Sequence, residues 1–174
     1  MKRFFSFLIC LSLLILSTAL PCSAAEVGPL SAECAVLYDP AGDRVLYGKN
    51  ADKRHAMAST TKIMTALVAL RHLPLDTVVT VPKEATGVEG SSVYLKPGET
   101  YTLEALLYAL LLQSANDAAE VIAYAVAGGV EPFADLMNDV AEELGLSNTH
   151  FENPHGLDGE AHYTTAKELA MIAA

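Results

Sequence analysis

The chain has 174 residues, 52% hydrophobic and 18% charged, enough to bury one sizeable core. Its formal net charge of −10 opposes nucleic-acid binding, which needs a basic footprint.

Lys2 and Arg3 precede the apolar run Phe4–Leu20, Pro21 breaks it, and Ser23-Ala24-Ala25 supplies small residues for cleavage. Residues 1–25 therefore read as a secretory signal peptide. Its removal leaves 9 basic against 21 acidic residues, a net charge of −12. Cys10 and Cys22 fall in the leader, so the remaining Cys34 has no internal disulfide partner and reads as a small core residue.

Residues 26–32 look like a short tether, and 33–174 read as the folded part. Glu33–Tyr38 reads as a strand, Asp39–Asp43 as a turn, and Arg44–Tyr47 as the hairpin partner. Asn50 through Met57 is a polar connection. The apolar run Ile63–Leu70 then predicts a buried helix beginning near Ser59 and bounded by Pro74. Thr77–Val81 is β-branched and predicts a short strand, and Gly87 to Gly98 is loop-like.

Four further helices follow. Thr102 caps Leu103–Leu112, which is apolar almost all round and so is expected to be central. Asp117 is the expected cap of the next helix, which runs to Gly128-Gly129. Glu131-Pro132 opens a third, with Phe133, Leu136, Met137, Val140 and Leu144 on one stripe and Gly145 as its stop. Thr165 and Glu168 form a capping box for a last helix.

Two polar clusters interrupt this apolar pattern. Ser59 and Lys62 are three residues apart, neighbours on a helix surface. A serine hydroxyl needs a base, and a lysine serves as one only when burial lowers its pKa. The positive end of the helix favours negative charge developing near Ser59. Ser114-Ala115-Asn116 lies between two apolar helices, where a hydroxyl and a carboxamide suit proton relay and the holding of a substrate amide. His150, His155 and His162 with Glu152, Asp158 and Glu160 have spacings that suit neither an H-E-x-x-H helix nor a zinc knuckle.

Ser59-Thr60-Thr61-Lys62 followed by Ser114-Ala115-Asn116 resembles the first two motifs of the penicillin-recognising serine enzymes. The flanks Ala56–Lys62, Gln113–Ala119, Phe151–Leu157 and His162–Ala166 look like the low-molecular-mass D-alanyl-D-alanine carboxypeptidases. The resemblance implies a β-lactamase/transpeptidase-like α/β (α+β) fold, an antiparallel sheet with an all-helical lobe, incomplete in this chain. It implies Ser59 as the acylated nucleophile, Lys62 as the base, Ser114 as proton relay and Asn116 as substrate binder. It also implies no metal and no cofactor.

The implied partners are a peptidoglycan stem peptide ending in D-Ala-D-Ala and β-lactams as acylating inhibitors, with membrane attachment through a further C-terminal segment. No Lys here is followed by Thr-Gly or Ser-Gly, so the family's third motif is expected beyond Ala174. Two alternatives stay open. One is a β-lactamase-related hydrolase, against which Ala115 weighs. The other is a non-catalytic penicillin- or peptidoglycan-binding protein.

Overall fold

Helix α1 (Thr61–His72) is entered through a 3₁₀ turn, Ala58–Thr60, in the computed structural model, which describes residues 27–174. The regular helix thus begins two residues after Ser59, and Ser59 sits in the tighter turn. Ala58 takes φ +46°, a left-handed conformation that no ordinary helix start contains. The helix ends at His72, and Leu73 is extended ahead of Pro74, as the residue before a proline prefers. Buried along α1 are Met64, Val68 and Ala69, but also the polar Thr61, Lys62 and Thr65.

The expected signal peptide lies outside the described residues, and residues 27–32 are exposed without helix or strand. Ala32–Ala174 forms one compact unit. No helix among the described residues is long and apolar enough to cross a membrane.

The expected hairpin is present as β1 (Ala35–Asp39) and β2 (Arg44–Lys49), antiparallel, with a bulge between Leu37 and Tyr38. Cys34 is free and only half-buried, at the edge of that hairpin. β3 (Val78–Thr80) pairs with β4 (Thr100–Thr102), a strand too short for its sequence alternation to announce it.

The helical part corrects one expectation. Helix α2 (Leu103–Leu112) is capped by Thr102 as expected, its hydroxyl accepting from the Ala105 amide at 3.2 Å. It is not the central helix. Leu103, Leu106, Leu107 and Leu110 are buried, while Tyr108, Leu111 and Leu112 are 61%, 53% and 73% exposed.

The centre is helix α3 (Asn116–Ala127), which packs against α1, α2, β3 and α4 (Val130–Glu143). Its buried residues are mostly Ala, Val and Ile, small enough to admit neighbours on several sides. Helix α5 (Ala166–Ile172) packs on β1.

Asp117 also departs from expectation. The helix cap is Ala115, without a side-chain bond, and Asp117 lies inside the first turn of α3. Its buried carboxylate accepts from Ser92 Oγ at 2.7 Å, the Leu95 amide at 2.9 Å and the Val93 amide at 3.3 Å. The Ala118 amide completes the set at 2.9 Å. One carboxylate thereby fixes the loop of residues 87–98.

Asp117→Ala strands those donors, and the cost is expected to be about 2–4 kcal/mol. Chemical denaturation measures it. Limited proteolysis should then cut first within residues 87–98.

Candidate active site

Lys62 is 2% exposed, and its Nζ stands 3.2 Å from Ser59 Oγ and 2.7 Å from the backbone oxygen of His155. Burial pulls its pKa from the ordinary value near 10.5 down to about 8. The amine is therefore neutral in a useful fraction of molecules near neutral pH, and its hydrogen-bonded neighbour is the exposed hydroxyl of Ser59.

One turn along the same helix face, Thr65 Oγ1 donates to the Pro154 oxygen at 2.6 Å. Lys62 and Thr65 thus grip two successive carbonyls of the segment Glu152–Leu157. Asn153 shapes that segment, its Oδ1 accepting from the Gly156 amide at 2.7 Å and its Nδ2 donating to the Leu157 oxygen at 2.9 Å.

Gly156 has φ +91°, and a Cβ there would lie 1.8 Å from the Ala58 oxygen and 2.8 Å from Thr61 Oγ1. Only a glycine lets this loop pass so close to the turn that carries Ser59.

Two buried histidines hold the same region. His162 Nδ1 accepts from the Glu152 amide at 3.0 Å, which places its proton on Nε2, 2.8 Å from Thr61 Oγ1. Burial lowers its pKa, reinforced by His155 and His150 and opposed by Glu152 and Asp158. His155 Nδ1 accepts from the Leu157 amide at 3.2 Å, and its Nε2 lies 3.5 Å from Glu120 Oε1 on α3. His150 Nδ1 contacts the Ala161 oxygen at 2.8 Å. The three histidines have separate partners, and among the described residues no group of three His, Cys, Asp or Glu side chains converges.

The other two sequence-predicted residues sit at the α2–α3 turn. Ser114 is half-buried with φ +55°, and its hydroxyl makes no hydrogen bond among the described residues. Asn116, 5% exposed, donates from Nδ2 to the Glu89 oxygen at 2.6 Å and from its backbone amide to the Ser91 oxygen at 2.7 Å. Hydrogen bonds join Ser59 to Lys62 directly. Asn116 is tied instead to the loop of residues 87–98.

Sequence reasoning missed Thr61, Thr65 and the His155 carbonyl. The hydroxyls left a trace, as polar residues inside an apolar run, with Thr65 three positions after Lys62. The carbonyl left none.

A family model described as D-alanyl-D-alanine carboxypeptidase, peptidase family S11, matches residues 22–174. The chain belongs to this family. D-alanyl-D-alanine carboxypeptidase DacF of Bacillus subtilis is 36% identical over 99% of the chain and 47% of its own length.

Among solved structures, D-alanyl-D-alanine carboxypeptidase DacD of Francisella tularensis superposes with a TM-score of 0.83. It is 35% identical over 90% of this chain and 39% of its own. Penicillin binding protein 6B of Escherichia coli gives 0.82 at 33% identity, over 88% of this chain and 52% of its own. The chain spans about half the length of the curated relative it matches, and its fold corresponds to part of the α/β fold of these proteins.

Two outcomes test the geometry. Gly156→Ala forces the loop off the Ala58 turn and should cost at least about 2 kcal/mol, read by thermal unfolding.

Lys62→Met tests the buried amine. A lysine whose folded pKa is depressed binds fewer protons folded than unfolded between about 8 and 10.5, so stability rises with pH across that window. Below it the buried charge costs about 3 kcal/mol. The stability of Lys62→Met relative to the native chain should therefore fall by about that amount between pH 7 and pH 10.5, measured by guanidinium unfolding.

Proposed function

We propose that the full-length protein is an exported serine-type D-alanyl-D-alanine carboxypeptidase acting on peptidoglycan stem peptides, and that β-lactams acylate the same serine. The observation that carries this reading is the buried, pKa-lowered amine of Lys62 at 3.2 Å from Ser59 Oγ. Family membership supplies the substrate class. The names of the relatives, one of them a penicillin binding protein, support the inhibitor class.

In the proposed cycle Lys62 Nζ takes the proton of Ser59, and Oγ attacks the carbonyl carbon of the penultimate D-alanine. The tetrahedral adduct collapses as the C–N bond breaks. Ser114 passes a proton to the leaving amine, and D-alanine departs. Water then attacks the resulting ester, returning the carboxylate product and the Ser59 hydroxyl. Asn116 holds the substrate amide through its carboxamide, which spends one of its two N–H donors on the Glu89 oxygen and keeps its carbonyl oxygen available. No metal or cofactor enters the cycle.

The basic, apolar and small-residue segments of 1–25 support export to the extracytoplasmic envelope. There such an enzyme serves wall biogenesis and cell shape, with attachment to the membrane through a segment outside this sequence.

Labelled penicillin followed by peptide mapping of the full-length protein should place the adduct on the peptide holding Ser59. Ser59→Ala should abolish labelling. Lys62→Arg keeps the charge but cannot supply a base, and acylation should fall by about 10²-fold or more. Undiminished labelling of either variant overturns the corresponding role.

A further inference from the structure

We propose that Glu120 is a positioning residue: through the His155 side chain it fixes the backbone carbonyl that orients the Lys62 amine toward Ser59. This rests on the reading of Lys62 as the base. It ties helix α3, which already carries Asn116, to the part of the site built from the Ser59 turn, α1 and the 152–157 segment.

The chain of contacts is short. Glu120 lies on α3, one turn after Asn116, with its side chain 16% exposed. Its Oε1 is 3.5 Å from His155 Nε2, and the His155 side chain is 8% exposed. Because His155 Nδ1 accepts from the Leu157 amide, the ring proton sits on Nε2, the nitrogen on the Glu120 side of the ring. The main-chain oxygen of the same residue accepts from Lys62 Nζ at 2.7 Å.

That carbonyl has a specific task. A neutral amine has two N–H bonds and one lone pair. With one N–H committed to the His155 oxygen, rotation of the amine is restricted and the lone pair can be held toward Ser59 Oγ. Asn153 and Thr65 hold the residues on either side of this carbonyl. Glu120 is what holds the His155 ring from the opposite helix. It also links the helix that begins with Asn116 to the amine of the first motif.

Burial alone accounts for the lowered pKa of Lys62, and the titratable group that reaches it is His155 of the 150–164 segment, through its backbone oxygen, with Glu120 on α3 behind the His155 ring. If the His155 ring loses its anchor, water reaches the amine and its pKa rises back toward the ordinary lysine value.

The test measures acylation by a fluorescent penicillin against pH in the full-length protein, with four variants. Glu120→Met and His155→Leu break the link from its two ends while retaining side-chain bulk. Each should slow acylation roughly 10- to 100-fold and move the acid limb of the profile to higher pH. The double variant should be no slower than either single one, because both remove the same link. Glu120→Gln still offers an oxygen to His155 Nε2 and should restore the wild-type rate and profile.

A wild-type profile in Glu120→Met, additive losses in the double variant, or a Glu120→Gln as slow as Glu120→Met overturns the proposal. If Glu120→Met fails to fold, His155→Leu and Glu120→Gln carry the same contrast. A wild-type adduct mapping away from Ser59 would instead refute the functional reading, whatever the Glu120 variants do.

Discussion

The site depends on one unfavourable burial. An amine on an apolar helix loses its hydration, and the energy lost is what depresses its pKa. Such a group is tolerated only where each N–H finds a partner, and the His155 carbonyl supplies the strongest one. The segment bearing that carbonyl must therefore lie against α1. It does so through Gly156, whose missing side chain is the space the Ala58 turn occupies. The left-handed φ of Ala58 sits on the other side of the same contact. Strain at Ala58 and the close approach at Gly156 are two aspects of one constraint: the loop and the turn compete for the space beside Lys62.

Helix α3 is the second organising element, and its polar residues face in different directions for different purposes. Asn116 and Asp117, in its first turn, hold the 87–98 loop by backbone groups. Glu120, one turn on, faces the 152–157 segment. Ala118, Ala119, Val121, Ile122 and Ala123 are fully buried and set how closely α1, α2 and α4 approach. Both loops of the site are thus referred to one rigid helix, so motion of one relative to the other requires motion of the core itself.

Much of this was legible in the sequence, and what was not has identifiable causes. The Ser59–Lys62 pair could be read because residues three apart stay neighbours whether the turn between them is 3₁₀ or α-helical. The β1–β2 hairpin and the Thr102 cap could be read because turn and cap chemistry is local. Leucine-rich α2 was misplaced at the centre because hydropathy rewards large side chains, whereas the centre here is filled by alanines that permit close approach.

Asp117 looked like a cap because the short range of an aspartate makes a local bond the default. Three of its four partners lie 22 to 25 residues away. Glu168 divides its role in the same manner. Its amide donates to Thr165 Oγ1 as a capping box requires, but its carboxylate reaches the Asn148 amide and Thr149 Oγ1 instead of closing the box.

The two buried histidines show what sequence patterns cannot encode even in principle. Both accept a backbone N–H at Nδ1, from Leu157 in one case and Glu152 in the other, and so both carry the proton on Nε2. The tautomer is set by the loop's own amides, and the Nε2–H then chooses a long-range partner: Glu120 on α3 for His155, Thr61 on α1 for His162. The segment from Glu152 to His162 is consequently held to both helices by rings whose orientation it dictates itself. Protonating the His162 ring at Nδ1 would remove an acceptor and confront the Glu152 N–H with a second donor. For His162, where burial already holds the pKa below the ordinary imidazole value, this works out to a stability contribution complete above about pH 6.5 and lost as pH falls through the lower folded pKa. The loop is therefore secure at the mildly alkaline pH where the Lys62 amine is neutral, and the two pKa depressions, each caused by burial, open one common pH range for the site.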